Sequence, residues 1–281
     1  MNSPKSNQIV LALPPDVSPL DALTYLLDIG VDDLVEPHSI NRFVAVEAIK
    51  ASPNAEQVSS QKTTIAAGVK TIEDITKTKI ADGQRMAMAA AQAANTIESL
   101  QSAVEAFDGL PGRATANRTV VRDGNPDARV MIISEGPSLD DDREGIPLAG
   151  ASGRLLDRML ASIGLDRESV YITNIMPWRP AGNRMPSPAE LKIMLPFTQR
   201  HMELIAPDVV VPLGESASRT LLQKNDRMSQ IRGTWSDAIG ITKQYPALPM
   251  FHPSYLLRTP AAKRKVWQDI LTLSKFLAEN I

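Results

Sequence analysis

Four short apolar runs divide the second half of the chain into repeating units. Each run leads into a polar loop and a segment whose apolar residues recur at helical spacing, and the runs read ARVMIIS, VYITNI, DVVVPLG and YPALPMF. Continuous apolar strands that alternate with amphipathic helices indicate a parallel sheet with helices on both faces. We therefore expect an α/β fold, a three-layer α/β/α sandwich with a central four-stranded parallel sheet.

Residues 1–105 have a different composition. They are rich in Ala, Ser, Thr, Gln and Lys and include the long polar stretch 50–84. Such a segment buries too little apolar surface to offset the entropy lost when it becomes ordered. Two parts of it, residues 19–30 and 85–107, have helical character. We predict a flexible or partly helical N-terminal extension over 1–105 and a folded domain over 106–281.

The composition narrows the class of protein. The 281 residues carry a net charge of −2 and include no cysteine, which excludes disulfides, thiolate nucleophiles and cysteine-bound metal centres. No apolar run approaches the roughly 20 residues of a membrane-spanning helix, and the first residues lack the layout of a signal peptide. We expect a cytoplasmic protein with no membrane contact, in which any nucleic-acid contact comes from a local basic patch.

The four predicted strands end in loops that carry polar side chains. The carboxyl ends of parallel strands lie at one edge of the sheet, where open α/β folds bind their ligands. Glu135 and Gly136 follow the first strand, Asn174 the second, Gly214 the third and His252 the fourth. We expect these residues to face one another.

The motifs in these loops, in this order, resemble the uracil-DNA glycosylase superfamily, and most closely its type 4 branch, over roughly residues 106–278. They read SEGPS with a following acidic pair, GIPLAGASGRLLDRML, TNIMPWRPAGNRMPSPAE, LGESA and HPSYLL. The branch carries GEAPG or GEGPG, GxPFVGxAGxLLxxML, TNxxxxRPPxNRxPxPxE, LGxxA and HPxYLL. The resemblance implies that fold and a monofunctional glycosylase that flips uracil out of DNA and hydrolyses its glycosidic bond, which starts base excision repair.

The resemblance also implies roles for single residues at the base. Asn174 would hydrogen-bond the edge of the flipped uracil, with Gly136 and Leu148 beside the ring. His252 would stabilise the negative charge that develops on uracil O2.

Two further roles concern water and DNA. Glu135 or Asp141 would position the attacking water, and the sequence leaves the choice open. Pro253, Ser254 and Tyr255 would enter the minor groove. The arginines expected at phosphates are Arg179, Arg184 and Arg258.

The chain departs from the type 4 pattern around the base. Leu148 stands where the branch has a phenylalanine that stacks on uracil, so uracil affinity should fall. Ser134 and Ser138 replace the two glycines that flank the first motif, and their side chains could narrow the pocket.

A further departure concerns the cofactor. Type 4 enzymes hold a four-iron four-sulfur cluster on four cysteines, whereas the corresponding positions fall near Leu110, at Trp178, at Met194 and in the stretch before Arg118. We expect no cofactor and no metal, with apolar packing in place of the cluster. The alternative for Trp178 is a base-contacting or surface aromatic residue.

Two other functions remain open. The chain could be a superfamily member with weak or no glycosylase activity that acts as a DNA-binding protein, or a glycosylase for another deaminated base. The expected partner is uracil-containing DNA, bound by a monomer. Residues 1–105 could contact a repair or replication protein.

Overall fold

The computed structural model describes residues 72–110, 113 and 115–280, with side chains from residue 80 onward. The chain divides into two units, Met1–Val69 and Lys70–Ile281, and all described residues belong to the second. The helix predicted over residues 19–30 lies outside the described residues.

One sheet of six strands forms the centre of this unit. The strands are β1 (Arg122–Gly124), β2 (Val130–Ser134), β3 (Val170–Asn174), β4 (Val209–Pro212), β5 (Ser236–Ile239) and β6 (Gln244–Ala247). Their order in the sheet is β1-β3-β2-β4-β6-β5. Strands β3, β2, β4 and β6 are parallel, whereas β1 and β5 run antiparallel to their neighbours at the two edges. The predicted four-stranded parallel sheet is confirmed, and the two edge strands extend it.

Helices cover the sheet in two groups. The helices are α1 (Ile72–Ala93), α2 (Ile97–Ala106), α3 (Leu139–Glu144), α4 (Gly150–Ala161), α5 (Pro188–Ile205), α6 (Glu215–Leu222), α7 (Met228–Ile231), α8 (Pro253–Arg258) and α9 (Lys263–Glu279). Helices α1, α2 and α5 pack against one another and α6 packs against α5, whereas α4 packs against α8 and α9. Every residue of β2, β3 and β4 is buried, as expected for strands covered on both faces. The predicted three-layer α/β/α architecture is confirmed.

The start of the compact unit differs from the division expected at residue 105. Helices α1 and α2 pack against α5, and their Ala87, Ala91, Leu100 and Val104 belong to the same buried cluster as the sheet. The segment 85–107 forms two helices because Thr96 begins α2 with a capping box. An alanine-rich sequence hides this role, since small side chains give a weak apolar signal although they allow close helix packing.

Among the helices of the described residues, none is both long enough and apolar enough to cross a bilayer.

Candidate active site

A cavity of about 720 Å³ opens at the carboxyl ends of the parallel strands. The strand order reverses between β2 and β4, and ligands of open α/β sheets bind at such a reversal. Glu135 follows β2 and Gly214 follows β4, and both line the cavity. The predicted site residues that line it are Glu135, Gly136, Asp141, Leu148, Arg184, His252, Ser254, Tyr255 and Arg258. The loops that follow all four predicted strands therefore meet at the cavity, the second through Pro180 and residues 183–186.

His252 lies at the start of α8 with both ring nitrogens hydrogen-bonded. The Ser254 backbone N–H donates to Nδ1 over 3.1 Å, and the Ser254 hydroxyl lies 2.8 Å from the same atom. The Nε2 atom lies 3.0 Å from Ser134 Oγ. Burial, and then the charge of Arg258, lowers the pKa of His252 to about 4. The ring is therefore neutral at pH 7, and because Nδ1 accepts a hydrogen bond, the proton is on Nε2.

Glu135 connects β2 to the first turn of α6. Its Oε1 atom accepts a hydrogen bond from the Ser216 backbone N–H over 2.8 Å. Burial raises the pKa of this carboxyl above its ordinary value, although hydrogen bonds from Ser216 oppose the rise. Gly214 has φ 92°, and a Cβ atom there would lie 2.6 Å from Glu135 Oε1. The glycine thus leaves room for the carboxylate.

Asp141 holds two loops together. Its Oδ2 atom accepts from the Ser138 backbone N–H over 2.9 Å, and its Oδ1 atom accepts from the Ala149 N–H over 2.8 Å. The residue is 3% exposed. The Ser138 hydroxyl in turn accepts from the Asp141 N–H, which completes the capping box of α3. Each carboxylate oxygen of Asp141 is therefore occupied by a backbone amide.

Leu148 has an unusual backbone conformation, with φ 51°. Its carbonyl accepts a hydrogen bond from Arg167, which also forms ion pairs with Asp123 and Asp157 over 2.6 and 2.8 Å. A Cβ atom on Gly153 would lie 1.6 Å from the same carbonyl oxygen. Leu148 is thus held against the cavity by an ion-paired arginine and a close glycine contact.

Three predicted residues do not line the cavity. Asn174 ends β3 beside Ser134, is 5% exposed, and has no hydrogen-bond partner for either amide atom within the described part of the chain. Arg179 donates to Asn183 over 3.3 Å. Pro253 is buried in the first turn of α8, because the proline begins that helix with its ring packed inward.

Comparison with known proteins agrees with this geometry. The sequence profile of the uracil DNA glycosylase superfamily matches residues 121–271, more than half of the chain. The chain belongs to this superfamily. A type-4 uracil-DNA glycosylase of Thermotoga maritima is 35% identical over 187 residues, which are 66% of this chain and 96% of that protein. One of Archaeoglobus fulgidus is 35% identical over 161 residues, 56% of this chain and 81% of that protein. A DNA polymerase of Bacillus phage SP01 is 30% identical over 155 residues, 55% of this chain but 16% of that protein.

The residues at the cluster positions of the type 4 branch do not fit an iron–sulfur cluster. Leu110, Trp178 and Met194 are at most 6% exposed and belong to one apolar cluster. Trp178 Nε1 donates to Thr119 Oγ1 over 3.1 Å, so the tryptophan is a packing residue and not a surface aromatic. No cysteine exists anywhere in the sequence. Across the described residues, no group of three or more His, Asp or Glu side chains is placed to hold a metal ion.

Hydrogen bonds fix the segment that precedes β1. Asp142 is 1% exposed, and its carboxylate accepts from the backbone N–H of Asn117 and of Arg118 over 2.9 and 3.1 Å, and from Asn117 Nδ2 over 2.7 Å. The Val120 N–H donates to the Pro177 carbonyl over 2.8 Å. Hydrogen bonds to the buried Asp142 carboxylate and to the Pro177 carbonyl therefore connect the segment before β1 to α3 and to the loop after β3.

Sequence reasoning missed two arginines of the cavity wall. Arg219 lies within α6 and pairs with Glu215 over 2.6 Å, and Arg227 precedes α7. The predicted residues come from loops that follow strands, whereas these two arginines reach the cavity from a helix and from a helix–helix connection. The spacing of Arg219 from Glu215, one helical turn away on the same face, was the available signal.

Proposed function

We propose that this chain is a monofunctional uracil-DNA glycosylase, which flips uracil out of DNA and hydrolyses its bond to the sugar. The observation that carries the proposal is His252, whose Nδ1 accepts the Ser254 N–H, together with a half-buried Glu135, in the wall of one cavity. The type-4 relatives named above support it. The reaction would start base excision repair.

His252 serves the leaving base. As the bond between uracil and C1′ breaks, negative charge grows on the uracil carbonyl oxygens. A neutral imidazole donates a hydrogen bond to that charge without transferring its proton. The pKa of about 4 keeps His252 in this form over the physiological range.

Glu135 is the better candidate for positioning the attacking water. Each oxygen of Asp141 accepts a backbone N–H, from Ser138 and from Ala149, whereas Glu135 accepts the Ser216 N–H on Oε1 alone. Glu135 lines the cavity, and burial raises its pKa towards the value that suits a general base. Its charge also stabilises the cationic sugar of the transition state. Asp141 then serves by holding the loops that carry Leu148.

Asn174 and Leu148 recognise the base in this proposal. A buried amide with neither atom paired is uncommon in folded proteins, and the donor and acceptor of a uracil edge would satisfy it. Asn174 does not line the cavity in the structure, so the cavity wall would have to open for a uracil edge to reach its amide. Leu148 would cover the ring, and Gly136 would let the backbone approach.

The DNA contacts are unequal. Arg258 is exposed at the cavity, and no hydrogen bond or ion pair of its side chain occurs among the described residues, so its charge is available to a phosphate. Arg184 forms two bonds of 2.8 and 2.6 Å to Glu190 and would have to leave that pair. Tyr255 is 36% exposed and stacks on Phe251 with ring centroids 4.8 Å apart, which suits a wedge in the minor groove.

The test uses the full chain and an end-labelled oligonucleotide with a single uracil, opposite guanine, opposite adenine or unpaired. Alkali then cleaves any abasic site. We expect cleavage by the wild type and by Asn95→Ala, an exposed control remote from the cavity, and strong loss in His252→Ala and Asn174→Ala. DNA binding without cleavage would favour a non-catalytic member, and cleavage at hypoxanthine or xanthine instead of uracil would favour another deaminated base.

A further inference from the structure

Ser134 carries a buried hydroxyl that is hydrogen-bonded to the candidate catalytic histidine. It is the last residue of β2, is 0% exposed, and does not line the cavity. Its Oγ atom lies 3.0 Å from His252 Nε2, and no other hydrogen bond of Oγ occurs among the described residues. The resemblance to the type 4 branch places a glycine here, which has no such group.

The direction of this hydrogen bond follows from the other side of the ring. The Ser254 backbone N–H can only donate, so Nδ1 must carry a lone pair. In the neutral ring the proton is then on Nε2, and Ser134 Oγ accepts it. The donor that the proposed function assigns to uracil is therefore already engaged when the cavity is empty.

We propose that Ser134 is a positioning residue that acts through His252. Its hydroxyl is the resting acceptor of the Nε2 proton, and the base carbonyl must take that hydrogen bond over when uracil enters. The inference deepens the proposed function and rests on it. Ser134 fixes the direction of the donor, and it also competes with the base for that donor.

If the Ser134 hydroxyl competes with uracil for the Nε2 proton, its removal should raise the affinity for uracil, whereas a loss of packing would lower that affinity. Without the hydroxyl, the empty protein holds an unpaired buried N–H, and uracil gains a full hydrogen bond when it binds. A neutral hydrogen bond contributes about 0.5 to 1.5 kcal/mol net, which corresponds to roughly a 2- to 10-fold change in affinity. Ser134→Ala should therefore bind free uracil more tightly than the wild type. A merely structural serine would leave the affinity unchanged or lower it.

The first measurement is the inhibition of oligonucleotide cleavage by free uracil, with wild type, Ser134→Ala and Ser218→Ala. Ser218 is an equally buried serine that donates to the Gly214 carbonyl over 2.7 Å and does not contact His252. We expect an inhibition constant roughly 2- to 10-fold lower for Ser134→Ala and no decrease for Ser218→Ala. Ser134→Gly, which restores the type 4 residue, is the second variant if the alanine variant does not fold.

The second measurement follows the histidine ring nitrogens by NMR without any ligand. The sequence has three histidines, and His201, whose Nδ1 lies 2.8 Å from the Tyr171 hydroxyl, is an internal reference. The wild type should show a proton on His252 Nε2 that exchanges slowly with water, and Ser134→Ala should speed that exchange without changing His201. An Nε2 without a proton, or an unchanged exchange rate, would overturn the inference.

The two proposals fail in different ways. A wild-type chain that does not release uracil refutes the proposed function, and the role of Ser134 towards uracil falls with it. Cleavage by the wild type with equal or weaker uracil inhibition of Ser134→Ala refutes the role of Ser134 alone.

Discussion

Glu135→Gln should remove the proposed catalytic function of this residue without destabilising the fold. Glutamine keeps a carbonyl oxygen that can accept the Ser216 N–H now donated over 2.8 Å, so the start of α6 retains its contact. The substitution removes the negative charge and the ability to accept a proton from water. Activity should therefore fall while the fold remains.

The substitution should lower the rate of catalysis without lowering the free energy of unfolding at pH 7. A positioned general base contributes about 10²- to 10⁴-fold to the rate, so kcat should drop by that factor. Because burial raises the folded-state pKa of Glu135 above its ordinary value of 4.5, the group contributes stability below pH 4.5 that is lost as the pH rises through the folded pKa. At pH 7 the neutral glutamine should thus unfold no more easily than the wild type.

The assay is single-turnover release of uracil together with urea unfolding at pH 7. Asp141→Asn is the matched comparison, because one of two backbone N–H groups held at 2.8 and 2.9 Å loses its acceptor. It should cost about 1 to 3 kcal/mol of unfolding free energy and spare activity in the folded fraction. A Glu135→Gln variant within threefold of the wild-type rate, or an Asp141→Asn variant that folds normally without activity, would refute this assignment of the two acids.

Three other substitutions test the site. His252→Ala should lower kcat by about 10²- to 10³-fold. The unfolding free energy of the wild type should fall as the pH drops from 6.5 to about 4, because the unfolded chain binds a proton that folded His252 does not. The alanine variant should show a shallower fall in urea titrations. Asp142→Ala should lower the unfolding free energy by about 2 to 4 kcal/mol, because it removes the acceptor of three hydrogen bonds. Asp140→Ala, at an exposed position, should change the unfolding free energy little. Equal unfolding curves for the two variants would contradict this. Leu148→Phe should strengthen binding of free uracil by ring stacking worth about 1 to 3 kcal/mol. It should also lower the melting temperature, because the Leu148 side chain is 2% exposed and a larger ring would overpack its surroundings. Weaker uracil binding by the folded variant would count against contact between Leu148 and the base.

Three of the parallel strands, β2, β3 and β4, could be predicted because each is a continuous buried run, whereas β6 starts one residue before its predicted apolar run and alternates exposed and buried residues. The edge strands could not, since Arg122–Gly124 has three partly exposed residues and Ser236–Ile239 buries one of its four. An edge strand has a neighbour on one side and needs no apolar run. Their existence depends on backbone pairing, which leaves little trace in side-chain type.

The placement of Glu135 and His252 at the cavity could be predicted because it depends on where a strand ends along the chain. Partnerships between distant residues were not predictable. The bond from His252 to Ser134 spans 118 positions, and the pairing of Arg184 with Glu190 depends on a loop conformation. The directions of these side chains depend on how the folded chain packs around them, and the order of residues along the chain does not reveal that packing.

Gly214 and Glu135 also constrain how this protein can change over evolutionary time. Because the space that a Cβ at position 214 would need is filled by the carboxylate of residue 135, any other residue at 214 must displace that acid or be strained by the φ of 92°. Position 214 therefore cannot gain a side chain while Glu135 stays in place. Lineages that keep the acid should keep the glycine, and a side chain at 214 should be found with a smaller residue at 135.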